Sequence, residues 1–191
     1  TPHTVKLIGD KSLSKRDFKR VTDPLTKFGA KFQLNKNKNL PLNIYGSNNL
    51  KPIYYEEKKG SAQCKSAVIF GGMKINGTTH IKAKKSRNHT ELMLKFLNYP
   101  IKVSKKSEYQ KISIKGLNQF KCFKYDVPGD ISSASFFIVL TLLSDDSKMI
   151  IEKVNVNQSR IGIISILNKM GAKIKLKNKK IYNGEEIADI H

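Results

Sequence analysis

Gly60-Ser61-Ala62-Gln63-Cys64-Lys65-Ser66 places a hydroxyl, an amide and an ammonium group directly before the apolar run Ala67-Val68-Ile69-Phe70-Gly71-Gly72-Met73. A small polar residue ahead of such a run marks a helix start, with Ser61 as the cap and the first backbone N–H groups left unpaired. Those N–H groups and the helix dipole both favour negative charge, so the stretch is suited to hold a phosphate or a carboxylate. Gln63 would add an amide and Lys65 a full positive charge. Nowhere else does the chain gather Ser, Gln and Lys so tightly at a helix start. The same residues would also serve an ordinary capped core helix, and on this stretch alone both readings stand.

An internal repeat shows which elements must position these groups. Leu25-Thr26-Lys27-Phe28-Gly29-Ala30-Lys31-Phe32-Gln33-Leu34 matches Leu167-Asn168-Lys169-Met170-Gly171-Ala172-Lys173-Ile174-Lys175-Leu176, with a looser copy from Leu94 to Val103. Each copy has an arginine upstream, Arg16, Arg87 and Arg160, spaced 71 and 73 residues apart, and Ser61 and Ser132 are again 71 apart. The unit predicts two kinds of helix. One starts at a serine-rich turn and is almost wholly apolar (Ser66 to Met73; Ala134 to Leu143), hence buried on most sides. The other starts near the arginine and is amphipathic, with Ile161, Ile164, Ile166, Leu167 and Met170 on one broad buried face. Gly29 and Gly171 stand where a glycine closes a helix.

Strands follow the helices. Alternation marks Lys173-Ile174-Lys175-Leu176 and Lys111-Ile112-Ser113-Ile114-Lys115, with further segments at Leu42–Tyr45, Thr78–Ile81 and Met149–Glu152. Gly46 and Gly116 end matching strands, and Asn35–Asn39 reads as a solvated hairpin connection. The result is an α/β fold of repeated βαβαββ units. The Pro128-Gly129 pair suggests a domain break near Tyr125–Asp130. Residues 1–126 are therefore expected to be part of a first domain, and residues 127–191 the incomplete beginning of a second.

Composition narrows the partners. The chain has 191 residues, 39% hydrophobic, and a formal net charge of +21. That excludes a disordered chain and points to an anionic partner, whether phosphorylated small molecules, nucleic acid or a membrane surface. The lysines are dispersed and the few aromatics lie mostly in apolar runs, unlike the clustered cations and interleaved aromatics of a basic nucleic-acid-binding module. Cys64 and Cys122 form neither a disulfide framework nor a metal spacing, and Cys64 is expected to be a buried thiol. The sequence shows no signal peptide and no apolar run near membrane-spanning length, so a cytoplasmic setting is expected. Thr1 and His191 both look like internal positions of a longer protein.

Five motifs in order resemble the enolpyruvyl transferase family, in the branch that acts on shikimate 3-phosphate. They are Gly9-Asp10-Lys11-Ser12-Leu13-Ser14-Lys15-Arg16, Ser61-Ala62-Gln63-Cys64-Lys65-Ser66-Ala67, Ser86-Arg87-Asn88-His89-Thr90-Glu91, Val127-Pro128-Gly129-Asp130-Ile131-Ser132-Ser133-Ala134 and Gly184-Glu185-Glu186-Ile187-Ala188-Asp189-Ile190. The resemblance implies two domains, each an inside-out α/β barrel, with helix N-termini aimed at a shared cleft. It implies transfer of the enolpyruvyl group of phosphoenolpyruvate to shikimate 3-phosphate, by addition and elimination, with no metal and no cofactor. It gives Ser61, Ala62, Gln63, Ser86, Arg87 and His89 to shikimate 3-phosphate, and Arg16 with Gln63 to phosphoenolpyruvate. Asp130, Ser132 and Ser133 would cap a helix, and Arg160 would be structural. Asp17 departs from the family pattern, which has proline after the arginine. The family's catalytic aspartate and lysine, and its N-terminal Lys/Ser/Arg loop, have no match here, so no catalytic residue is assigned within the chain. The implied protein is a monomer at full length, binds neither nucleic acid nor membrane, and is inactive as this fragment alone. The rival within the family, the enzyme using UDP-N-acetylglucosamine, relies on a loop cysteine, and neither cysteine here sits in such a context.

Overall fold

The computed structural model describes residues 3–191. The element order is β1 (Val5–Leu7), a 3-10 turn (Leu13–Lys15), α1 (Lys19–Thr26), β2 (Lys31–Gln33), β3 (Leu42–Tyr45), β4 (Tyr54–Glu57), α2 (Ala62–Met73), β5 (Thr78–Lys84), α3 (His89–Phe96), β6 (Ile101–Lys105) and β7 (Tyr109–Lys115). Then come α4 (Ile131–Leu143), β8 (Ile151–Asn155), α5 (Gly162–Lys169), β9 (Leu176–Tyr182) and β10 (Glu185–Ile190). Packing divides the chain into two compact units. The first runs up to Ser86 and adds Tyr99–Gln119, and the second joins Arg87–Asn98 to Phe120–His191. The division falls at 119/120 and takes in α3 with the second unit.

The first unit carries two sheets, ordered β1-β3-β2 and β4-β5-β7-β6. In the larger one β4 and β5 run parallel, Glu57 opposite Ala83, while the other pairs are antiparallel. α2 lies on this sheet. Val68 and Ile69 on the helix and Ile81, Ile112 and Ile114 on the strands are all at most 1% exposed, each side chain contributing about 1.5–3 kcal/mol of burial. The helix ends in a close approach. A Cβ at Gly116, just past β7, would stand 1.8 Å from the carbonyl oxygen of Ile75, so only glycine fits.

The second unit repeats the plan. Its sheet is ordered β8-β10-β9, the order of β5-β7-β6, and Gly129 makes a short parallel bridge to Val154 where β4 would stand. Its core is Ile131, Ala134 and Ile138 of α4 with Val154, Ile164 and Ile190. The βαβαββ unit predicted from the repeat is thus the observed one. Gly29 and Gly171 both close their helices at φ 101°, and Asn98 takes the same left-handed role after α3 at φ 54°.

Three expectations change. α4 is not buried on most sides: Phe136, Phe137, Leu140 and Leu143 are all more than half exposed. Only its Ile131–Ala134–Ile138 face meets the unit's sheet; uniform hydrophobicity states what a helix can bury, not what lies against it. On α5, Ile164 is buried, but Ile166 and Met170 are exposed, so the packed face is narrower than the pattern suggests. The alternation at Lys173–Leu176 precedes its strand rather than forming it; β9 starts at Leu176, and Lys175 exchanges two 2.9 Å backbone bonds with His191. β8 likewise begins at Ile151, two residues later than expected.

Candidate functional site

Parallel pairing of β4 and β5 sends both strands out of the sheet at the same end, so the turns that follow them are neighbours. The first turn leads into α2. The carboxylate of Glu57, 4% exposed, accepts the backbone N–H groups of Lys59 at 2.9 Å and Gly60 at 2.7 Å. Gly60 takes φ 72°, and Ser61 then caps α2 by accepting the N–H of Cys64 at 3.2 Å. Ala62 opens the helix and Gln63 stands exposed on its first turn. The second turn, Lys85-Ser86, leads away from β5. A Cβ on Gly60 would lie 3.7 Å from the carbonyl oxygen of Lys85, so the two turns touch. Ser86 Oγ is buried with no hydrogen-bond partner among the described residues.

The start of α1 joins them. Cys64, buried as expected, donates its thiol to the carbonyl of Arg20 at 3.1 Å, which sets the first turn of α1 beside the first turn of α2. Arg16 stands exposed just ahead, its N–H bonded to Leu13 O at 3.1 Å. Asp10 holds the preceding 3-10 turn by accepting Leu13 N–H at 2.6 Å. Asp17 accepts the N–H of Lys19 at 2.7 Å, so the residue that departs from the family pattern secures the entry to α1. The first unit therefore brings the starts of α1 and α2 and the turn after β5 to one edge. The capped N-terminus of α2 and the buried Ser86 hydroxyl lie along it, with the exposed Gln63 on the first turn of α2 and the exposed Arg16 three residues ahead of α1 in the chain. Such donors suit an anionic ligand.

Lys65, on the first turn of α2, is not exposed as Gln63 is. It is fully buried, because it lies on the helix stripe Lys65–Val68–Ile69–Gly72, at spacings of three, four and seven, which faces the sheet. Cavities also lie elsewhere. An apolar one of about 210 Å³ in the second unit is lined by Ile138, Leu142, Met149, Ile151, Ile174 and Ile190. Among the described residues no three His, Cys, Asp or Glu side chains gather as metal ligands would, and no helix is long and apolar enough to cross a membrane.

Arg87 and His89 belong to the second unit. Arg87 is exposed, directly before Asn88, the cap position of α3. His89 Nδ1 stands 2.6 Å from Oε1 of Glu185, whose side chain is 4% exposed. Asn157 donates its amide to the other oxygen of Glu185 at 3.1 Å and to Asn88 Oδ1 at 2.9 Å. The start of α4 is closed in its own way. Asp130 accepts the N–H and the hydroxyl of Ser133, and Arg160 pairs with Asp130 at 2.9 Å and donates to Ser132 Oγ. Desolvation pushes the Asp130 carboxyl up, but the Ser133 bonds and the Arg160 charge outweigh it and hold the group below the ordinary carboxylate range. Asp130 is thus the cap of α4, whereas Ser133 donates to it and Ser132 accepts from Arg160, so neither serine is itself the cap that the sequence suggests.

Sequence reasoning missed Glu57 and Asn157, and assigned no role to Glu185. Tyr54-Tyr55-Glu56-Glu57 reads as a pair of surface acids. Strand alternation was the available signal: Glu56 points out to Lys82 at 2.9 Å while Glu57 points in.

A family model for EPSP synthase (3-phosphoshikimate 1-carboxyvinyltransferase) matches residues 1–189. The 3-phosphoshikimate 1-carboxyvinyltransferase of Caldicellulosiruptor saccharolyticus is 47% identical over 186 residues, covering 96% of this chain and 43% of that protein. Its counterpart in Hydrogenovibrio crunogenus is 42% identical, covering 97% of this chain and 42% of that protein. The solved EPSP synthase of Acinetobacter baumannii superposes with a TM-score of 0.83 at 36% identity, over 100% of this chain and 42% of that one. The enolpyruvyl transferase NikO of Streptomyces tendae, at TM-score 0.66 and 14% identity over 97% of this chain and 43% of that one, shares the fold alone. The chain spans about two-fifths of the length of these relatives.

Proposed function

The chain belongs to the EPSP synthase family, and from that premise we propose that, in a protein of the relatives' length, it helps transfer the enolpyruvyl group of phosphoenolpyruvate to the 5-hydroxyl of shikimate 3-phosphate. In that reaction the hydroxyl oxygen loses its proton and bonds to C2 of phosphoenolpyruvate as the C2=C3 double bond opens and C3 takes up a proton; loss of a proton from C3 then restores the double bond as the C2–O bond to phosphate breaks, releasing inorganic phosphate. Both substrates are phosphorylated anions, so the part of this chain is to supply cations and N–H donors in fixed positions. Ser61, the backbone of Ala62, Gln63, Ser86 and Arg87 bind shikimate 3-phosphate. Arg16 grips phosphoenolpyruvate, its guanidinium matching two oxygens at once, and Gln63 reaches the same substrate. No proton-transfer step is assigned to residues of this chain. The protein works as a cytoplasmic monomer.

The observation that carries this reading is the single edge of the first unit where the starts of α1 and α2 meet the turn after β5. The test is calorimetric titration of shikimate 3-phosphate into a protein of full relative length, together with a turnover assay. Gln63→Ala and Arg87→Ala should each weaken binding roughly ten- to a hundredfold, the loss of one or two hydrogen bonds to a charged group. A full-length protein that turns over neither substrate and gives no binding heat would overturn the reading.

A further inference from the structure

The second unit holds a polar cluster that the proposed reaction does not use. Asn88 occupies the cap position of α3, where its side chain would ordinarily accept an N–H of its own helix. It makes no such bond. Its Oδ1 accepts instead from Asn157 Nδ2 at 2.9 Å. Asn157, 7% exposed, also donates to Glu185 Oε2 at 3.1 Å and accepts from Ser159 N at 2.9 Å and Ser159 Oγ at 2.6 Å. Glu185 in turn receives His89 Nδ1 at 2.6 Å. The two residues that follow Arg87 are therefore both tied to β10 and to the turn before α5, through a carboxylate and an amide that solvent hardly reaches. A buried carboxylate is retained only where its partners satisfy it, and these partners converge on the first residues of α3.

We propose that Glu185 and Asn157 are positioning residues for Arg87: by clamping Asn88 and His89 they fix where the Arg87 guanidinium is presented to the phosphate of shikimate 3-phosphate. The inference rests on the reading given above. His89 serves the same clamp, its ring directed at Glu185.

The test is steady-state kinetics of the full-length protein with each substrate varied in turn. Glu185→Ala should raise KM for shikimate 3-phosphate roughly ten- to a hundredfold, the loss expected when a binding group shifts by about an ångström. KM for phosphoenolpyruvate should stay within about threefold, since Arg16 is held by other elements. Asn157→Ala, which spares the His89–Glu185 pair, should show the same selective rise and serves where Glu185→Ala does not fold. His89→Leu should reproduce the defect, and His89→Asn, whose amide can donate to the same carboxylate, should recover most of it. A folded Glu185→Ala or Asn157→Ala protein whose two KM values move together, or do not move, overturns the positioning role and leaves the reaction untouched. A wild-type protein without turnover or binding overturns both.

Discussion

Glu57 offers the sharpest test of how the α2 turn is built. Replacing it by alanine removes the acceptor of two backbone N–H groups, Lys59 at 2.9 Å and Gly60 at 2.7 Å. A hydrogen bond to a charged group contributes about 1.5–3 kcal/mol, but Lys59 lies at the surface, where water can replace its bond, so we expect a total loss of about 2–4 kcal/mol. Glu57→Gln keeps one acceptor oxygen and should lose roughly half as much. Urea unfolding followed by circular dichroism measures the loss. Amide hydrogen exchange at Gly60 locates it, because that N–H should exchange much faster in the variant while the middle of α2 stays protected. The freed turn no longer sets Ser61 and Gln63 in place, so shikimate 3-phosphate binding should weaken as well. A Glu57→Ala protein within about 0.5 kcal/mol of wild type, with unchanged exchange at Gly60, would refute the idea that a buried acid fixes this turn.

Two further predictions concern stability. Gly116→Ala would drive a Cβ to 1.8 Å from Ile75 O and 2.5 Å from Gly72 O; neither carbonyl belongs to a side chain that can swing away, so we expect at least about 3 kcal/mol of destabilisation, read as a fall in the thermal midpoint. Asp130 has its carboxyl pKa lowered by folding, so its contribution is present above the unfolded value and fades as pH falls through the folded one. The wild-type protein should therefore lose stability below about pH 4 with a steeper slope than Asp130→Asn, and superposed pH profiles would remove Asp130 from the acid response.

The sequence made the repeat legible because each copy of the unit must solve the same local problem: an apolar helix on a sheet, an amphipathic helix after an arginine, and a left-handed residue to end it. Alternation located Leu42–Tyr45 and Lys111–Lys115, while Lys173–Lys175 alternate and yet precede their strand, since strand pairing rather than pattern decides where β9 begins. The serines, glutamine and arginines of the candidate site were legible from their motifs. Glu57, Asn157 and Lys65 were not, because the burial of a polar side chain depends on which neighbours arrive from distant segments. α4 erred the other way: its thirteen residues, Ile131–Leu143, are apolar enough for a core, but only one face of it meets this unit's sheet.

The two serine-led helices also differ in who answers their positive ends. At α2 the cap is a neutral hydroxyl, and the Glu57 carboxylate is bonded to the turn ahead of it. At α4 the cap is the Asp130 carboxylate, already engaged with an arginine. The start of the second copy thus carries its own counter-ion, tethered to its own backbone, while the start of the first is capped by a group with no charge. One repeated scaffold can in this way be made receptive or inert by the charge of a single side chain at the doorway of a helix.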